Sequence, residues 1–109
     1  MRVWLVKNGH LRHKAVEGGD YEAVAMLLDS GADPDELCFG HTLLTQAVDV
    51  AGDSHWQTGY PLNATAAAIL LAYGANPELP TADGETPLRM ARYYEHEPAQ
   101  RLIQRFLHS

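Results

Sequence analysis

Acid–base chemistry in this chain would have to come from two places. Asp53 and His55 lie two residues apart, and Glu95-His96-Glu97 run consecutively. A carboxylate beside an imidazole is the pairing with which a hydrolase or nuclease moves a proton. Neither group comes with the remainder of such a site. No Ser or Cys sits in a nucleophile elbow, no Gly-rich loop could cradle a phosphate, and there is no His-Glu-x-x-His. His10-x-x-His13 could put two imidazoles on one helical face, but no cysteine pair exists to complete a metal site. The single cysteine, Cys38, has no basic neighbour in sequence to lower its pKa. These residues predict neither an enzyme, nor a metal site, nor a cofactor.

The elements that would carry these side chains are repeated. Leu27-Leu28-x-x-Gly31-Ala32-Asp33-Pro34 returns as Leu70-Leu71-x-x-Gly74-Ala75-Asn76-Pro77. Asp20 and Asn63 stand at the helix starts before the two copies, where a side-chain oxygen can accept from free backbone N–H groups. Gly31 and Gly74 stand just past the helix ends, where a left-handed residue is needed. A second element recurs between them: Gly40-His41-Thr42-Leu43-Leu44-Thr45-Gln46-Ala47 aligns with Gly84-Glu85-Thr86-Pro87-Leu88-Arg89-Met90-Ala91. Thr42 and Thr86 are natural caps, and Pro87 fits a first helical position. Each unit reads as turn, short helix, turn, longer helix, Gly and loop, so Glu95-His96-Glu97 falls in an interhelical turn.

The pattern resembles the ankyrin repeat. The resemblance rests on Asp83-Gly84-x-Thr86-Pro87-Leu88-x-x-Ala91, on both Leu-Leu-x-x-Gly-Ala phrases and on Ala15-x-x-x-Gly19. It covers the chain after about residue 10 and implies an all-α solenoid of about three helix-turn-helix units. The units would span 1–35, 36–79 and 80–109 within a single domain. Arg12 replaces an expected core Leu, which suits an N-terminal cap, and the resemblance gives His13 a structural hydrogen-bonding role. Leu102, Ile103, Phe106 and Leu107 form an apolar stripe opposite Arg101, Gln104, Arg105 and His108, which suits a C-terminal cap. Val3-Trp4-Leu5-Val6 fits a strand or a helix extension equally.

The second unit is too long. Ala15 to Gly31 spans 16 residues and Ala47 to Gly74 spans 27, an insertion of 11 near 49–62. Its turn-forming composition predicts an extra loop. Trp56 could cover the helices of its own unit or reach along the concave face to a partner.

Length and a hydrophobic content of 46% fit one packed domain. No segment has the ~18 uninterrupted apolar residues of a membrane span. Met1–Asn8 does not read as a signal peptide, and with a lone cysteine the expected location is the cytoplasm. Asn63-Ala64-Thr65 is a sequon, read here as a helix start. The charge is strongly segregated: no Lys or Arg occurs between Ala15 and Leu88, whereas twelve acids do. Such a middle repels nucleic acid and anionic membranes and favours a basic protein partner.

The resemblance implies binding through loop tips and the exposed faces of first helices. Onto this sequence that places Cys38, Phe39, His41, Ala82, Asp83 and Glu85 at tips, and Glu17, Asp49, Val50, Tyr93 and Tyr94 on helix faces. The insertion adds Asp53, Trp56 and Tyr60 as partner-binding candidates. At least one of Phe39, Tyr93 and Tyr94 is expected to fold back onto the core. The expected function is non-catalytic binding by a monomer, most specifically as an immunity protein that inhibits a basic toxin. Small stand-alone ankyrin-like proteins do serve in that way. The alternative is an adaptor or scaffold that recruits a cellular partner without inhibiting it.

Overall fold

The computed structural model describes residues 14–38 and 40–108, with Cys38 by its backbone alone. The expectations for Val3–Val6, His10, Arg12, His13 and Phe39 lie outside those residues, as does the side chain of Cys38. The chain is an all-α solenoid of helix pairs. They are α1 (14–17) with α2 (Tyr21–Asp29), α3 (Leu43–Thr58) with α4 (Thr65–Ala72), and α5 (Pro87–Tyr93) with α6 (Glu97–Leu107). Between α2 and α3 lies a two-residue antiparallel ladder, β1 (Leu37–Cys38) and β2 (His41–Thr42), with Leu37 opposite Thr42.

Local chemistry sets the helix starts. Asp20 accepts from the Ala23 N–H at 3.1 Å. Thr42 and Thr45 form a reciprocal capping box, each side-chain oxygen accepting from the other's backbone N–H. Thr86 caps α5 with Pro87 at its first position. At α4 the expected start shifts by one residue. Ala64 is the cap and makes no side-chain bond, while Asn63 Oδ1 accepts from the Thr65 N–H at 2.7 Å.

The repeated phrase closes its two helices in the same way. Gly31 N–H donates to Leu28 O at 3.0 Å and Ala32 N–H to Leu27 O at 3.1 Å. Gly74 and Ala75 repeat this onto Leu71 and Leu70, at 3.1 and 3.0 Å. These are Schellman closures, with each glycine left-handed at φ 107° and 95°. The residues after them also match. Asp33 accepts from the Asp35 N–H, and Asn76 from the Glu78 N–H, each at 2.9 Å.

Two apolar layers hold the units together. Val16, Val24, Leu28, Leu43, Ala47 and Leu70 fill the first; Leu44, Val48, Leu71, Met90, Ala91, Ala99 and Ile103 fill the second. Consecutive residues thus face opposite neighbours: Leu43 and Leu70 look towards α2, Leu44 and Leu71 towards α5 and α6. In the first unit only Leu28 has a following layer to enter, and Leu27 stays half-exposed. In α6, Ile103 is fully buried and Leu102 and Leu107 pack against the core. Phe106 departs from the expected stripe and remains 38% exposed. Leu107, one residue further on, packs against the core, so the buried face of the last turn runs through Leu107 and not through Phe106.

The insertion is not the loop its composition predicts. α3 runs for sixteen residues, whereas α5, its counterpart, has seven. After α1 the chain turns at Gly19 and after α5 at Glu95, each in the left-handed region. At the matching point of α3 stands Ala51, and the helix continues to Gly59, the first left-handed glycine available (φ 77°). Only residues 59–64 remain as loop.

Candidate functional site

The end of the regular part of α3 and its extra turns present Asp49, Gly52, Asp53 and Trp56 at intervals of three, one and three residues, which places them on one helical face. The end of α5 packs across that face. Gly52 is what allows it: a Cβ there would lie 2.1 Å from Cγ of Tyr94. The Tyr94 ring therefore rests on helix backbone, is only 9% exposed, and donates its hydroxyl proton to Asp49 Oδ1 at 2.7 Å. Burial raises the Tyr94 pKa, and the bond to Asp49 and the charges of Asp49 and Asp53 raise it further, so the phenol stays a donor.

Two more rings complete the cluster. Trp56 meets Tyr94 edge-on at 5.1 Å between centroids, and Tyr93 meets Tyr94 the same way at 5.1 Å. Trp56 and Tyr93 lie 5.3 Å apart at a tilt of 45°. These separations are those of attractive aromatic pairs. Tyr94 is thus the aromatic that folds back onto the core. Trp56 and Tyr93 remain 55% and 66% exposed. Trp56 neither lies flat on its own unit nor stands free; it crosses to the third unit's tyrosines. Asp53 is exposed and accepts from Gln57 Nε2 at 3.0 Å.

The loop tips lie apart from this cluster. His41 is half-buried, its Nδ1 3.2 Å from Thr45 Oγ1. The tip of the β1–β2 turn is tied to the next unit, because Gly40 O accepts from the Ala82 N–H at 2.9 Å. Thr81 Oγ1 accepts from the N–H groups of Asp83 and Glu85, which shapes the second tip. Ala82 and Asp83 are exposed there; Glu85 is half-buried and pairs with Arg89 at 3.7 Å. On the other side of α3, Glu17, Tyr21, Val50 and Tyr60 line a cleft of about 660 Å³ between the α1–α2 turn and residues 60–64.

The acid–base candidates do not converge. Asp53 engages Gln57, while His55 Nδ1 lies 2.6 Å from the Tyr60 carbonyl and donates to it, fastening the loop after α3. Glu97 pairs with Arg101 at 3.1 Å. His96 is 1% exposed and caps α6: its Nδ1 accepts from the Ala99 N–H, so Nε2 carries the proton and donates to Asn63 O, each at 3.3 Å. Burial lowers its pKa, against the opposing effect of the Asn63 bond. Among the described residues no three His, Cys, Asp or Glu side chains cluster as metal ligands do. No helix among them is long and apolar enough to cross a membrane.

Reading by residue type missed Gly52 and, although it singled out His96 as an acid–base candidate, missed that residue's buried capping role. The helical spacing of Asp49, Gly52, Asp53 and Trp56 was a usable signal for the first. Nothing in the local sequence distinguishes a buried His96 from a solvated one.

No match was found among curated proteins. The ankyrin-repeat profile matches residues 6–38. Among solved structures, an ankyrin repeat domain from Acinetobacter baumannii AYE is similar at 32% identity and a TM-score of 0.70, over 84% of this chain. This chain spans 44% of the length of that one. Twinned Schellman closures, helix pairs stacked through two apolar layers, the profile match and the similar domain converge on one result: the chain belongs to the ankyrin-repeat family, whose repeats are protein–protein interaction modules.

Proposed function

We propose that this chain is a non-catalytic inhibitor that binds a basic protein, in the manner of an immunity protein that neutralises a toxin. The observation that carries the reading is the charge segregation: the first two units and the tip of the third contain no Lys or Arg between Ala15 and Leu88. Exposed acids stand both at a tip, Asp83, and on the α3 extension, Asp53. An electronegative surface accelerates encounter with a basic one. A rigid acidic body seated on a basic substrate groove also excludes the anionic substrate, so binding alone suffices to inhibit. Nucleic acid and anionic membranes do not fit such a surface.

The test is affinity capture from native lysate at low and high salt, read by mass spectrometry, followed by association kinetics on the captured partner. The expected result is one basic partner at equal stoichiometry, weakened by salt and losing its activity when bound. Asp83→Lys should slow association severalfold at low salt and leave dissociation nearly unchanged. Several partners insensitive to salt and fully active when bound would instead identify an adaptor.

A further inference from the structure

We propose that Trp56 and Tyr93, flanked by Asp49 and Asp53, form a receptor for a single arginine side chain of the protein partner. This rests on the basic-partner reading and specifies what that partner must present.

The two rings are adjacent, more than half exposed and tilted by 45°, so together they leave aromatic surface open to a flat group. They are also braced. Trp56 leans on Tyr94, which is seated on Gly52 and tied to Asp49. A surface already fixed in place loses little side-chain freedom on binding. Two carboxylates stand on the same helical face, one of them a single turn before Trp56. Among the described residues no Lys, Arg or His pairs with either; Arg89 engages Glu85 and Arg101 engages Glu97. Asp49 gives one oxygen to Tyr94 and Asp53 one to Gln57, so each retains an oxygen for a further donor.

Charge and shape together select the ligand. A guanidinium is planar, stacks on aromatic faces and directs N–H groups outward from its edge, free to meet carboxylates on the same helical face. An ammonium is a compact, strongly hydrated charge that uses the rings less well. A quaternary ammonium needs a space between rings, and these centroids lie 5.1 to 5.3 Å apart, in mutual contact. The site is a platform, not a cage.

The chain has two tryptophans, so Trp4→Phe leaves Trp56 as the one indole reporter. The probes are blocked Gly-Arg-Gly and Gly-Lys-Gly peptides, titrated against the Trp56 indole N–H signal by NMR. The arginine peptide should shift the signal saturably and bind about threefold or more tighter than the lysine peptide. Asp53→Asn should weaken it by about two- to fivefold, and Tyr93→Ala should abolish the arginine preference. Asp83→Asn, at the distant tip, should change nothing. Equal responses to both peptides, no response, or a response indifferent to Asp53→Asn and Tyr93→Ala would overturn the proposal. A basic partner whose binding survives Asp53→Asn and Tyr93→Ala would remove the arginine receptor and leave the basic-partner reading intact. Arginine-selective binding without any basic partner in the lysate would do the reverse.

Discussion

Glycine inside a helix is ordinarily a loss of about 1 kcal/mol relative to alanine. At Gly52 the sign should invert. Alanine would place a methyl group inside the Tyr94 ring, and the ring must leave its seat together with its bond to Asp49. Gly52→Ala is expected to destabilise the protein by about 1–3 kcal/mol despite its better helix propensity, measured by urea unfolding, with altered Trp56 fluorescence. A gain in stability would show that Tyr94 does not rest there. His96 supplies a second test at the level of one side chain. Burial lowers its pKa below the ordinary 6.5, so the unfolded chain binds the proton more tightly than the folded one. Its contribution to stability is full above that value and lost as the pH falls from 6.5 through the lowered folded value. Protonation of Nδ1 also sets an N–H against the Ala99 N–H it caps. The urea midpoint should fall between about pH 8 and pH 5. His96→Asn, which keeps a capping acceptor without titrating, should flatten that dependence.

Among the elements, identical words acquire different weights from their neighbours. Leu27 and Leu70 begin the two copies of one phrase, yet Leu70 is fully buried between two helix pairs and Leu27 is half-exposed. Leu70→Ala should cost about 2–5 kcal/mol and Leu27→Ala less than half as much, by equilibrium denaturation. The turns after the first helices can be compared in the same way. Glu95 occupies, at φ 54°, the left-handed position that Gly19 holds in the first unit. Glu95→Gly should stabilise by about 1 kcal/mol and raise Tm by several degrees; an unchanged or lower Tm would refute the strain. These comparisons explain what was legible in the sequence. Thr42, Thr86, Asp20, Pro87 and the Gly-Ala closures were readable because each has a residue type that its backbone geometry demands. The helical course of 49–58 was not. Gly52 and Gly59 are the same residue type, yet Gly52 stays helical beneath the ring of Tyr94, a residue some forty positions away, and Gly59 turns left-handed with nothing packed against it. Candidate site residues were legible as aromatic and acidic. Which of them share a surface was not, because that depends on α3 outgrowing α5.

Across the whole molecule, a loop hydrogen bond joins each unit to the next, between the exit loops for the first and second units and at the tips for the second and third. Gly40 O receives the Ala82 N–H at the tips, and Asp35 Oδ1 receives the Asn76 N–H at 2.7 Å between the exit loops. Layers packed through their apolar faces and each tied to the next by a loop hydrogen bond favour a surface on which fixed charges act with little reorganisation. Should the partner be basic, raising salt from about 50 to 200 mM ought to slow its association without much change in dissociation. Association indifferent to salt would leave the acidic middle with no part in recognition.

Repeats invite the thought that they can be shuffled, each unit being a tile that fits any other. The seat for Tyr94 contradicts that here. A tyrosine at the end of one unit's first helix needs a glycine at the tenth position of the preceding unit's first helix, and the long α3 is the helix that supplies it. Second and third units are therefore keyed to each other like adjoining pieces with a single tab and slot. A duplicated third unit placed after itself would present its tyrosine to a helix that ends before any slot. The stacking order is thus written into one missing methyl group as well as into the peptide chain.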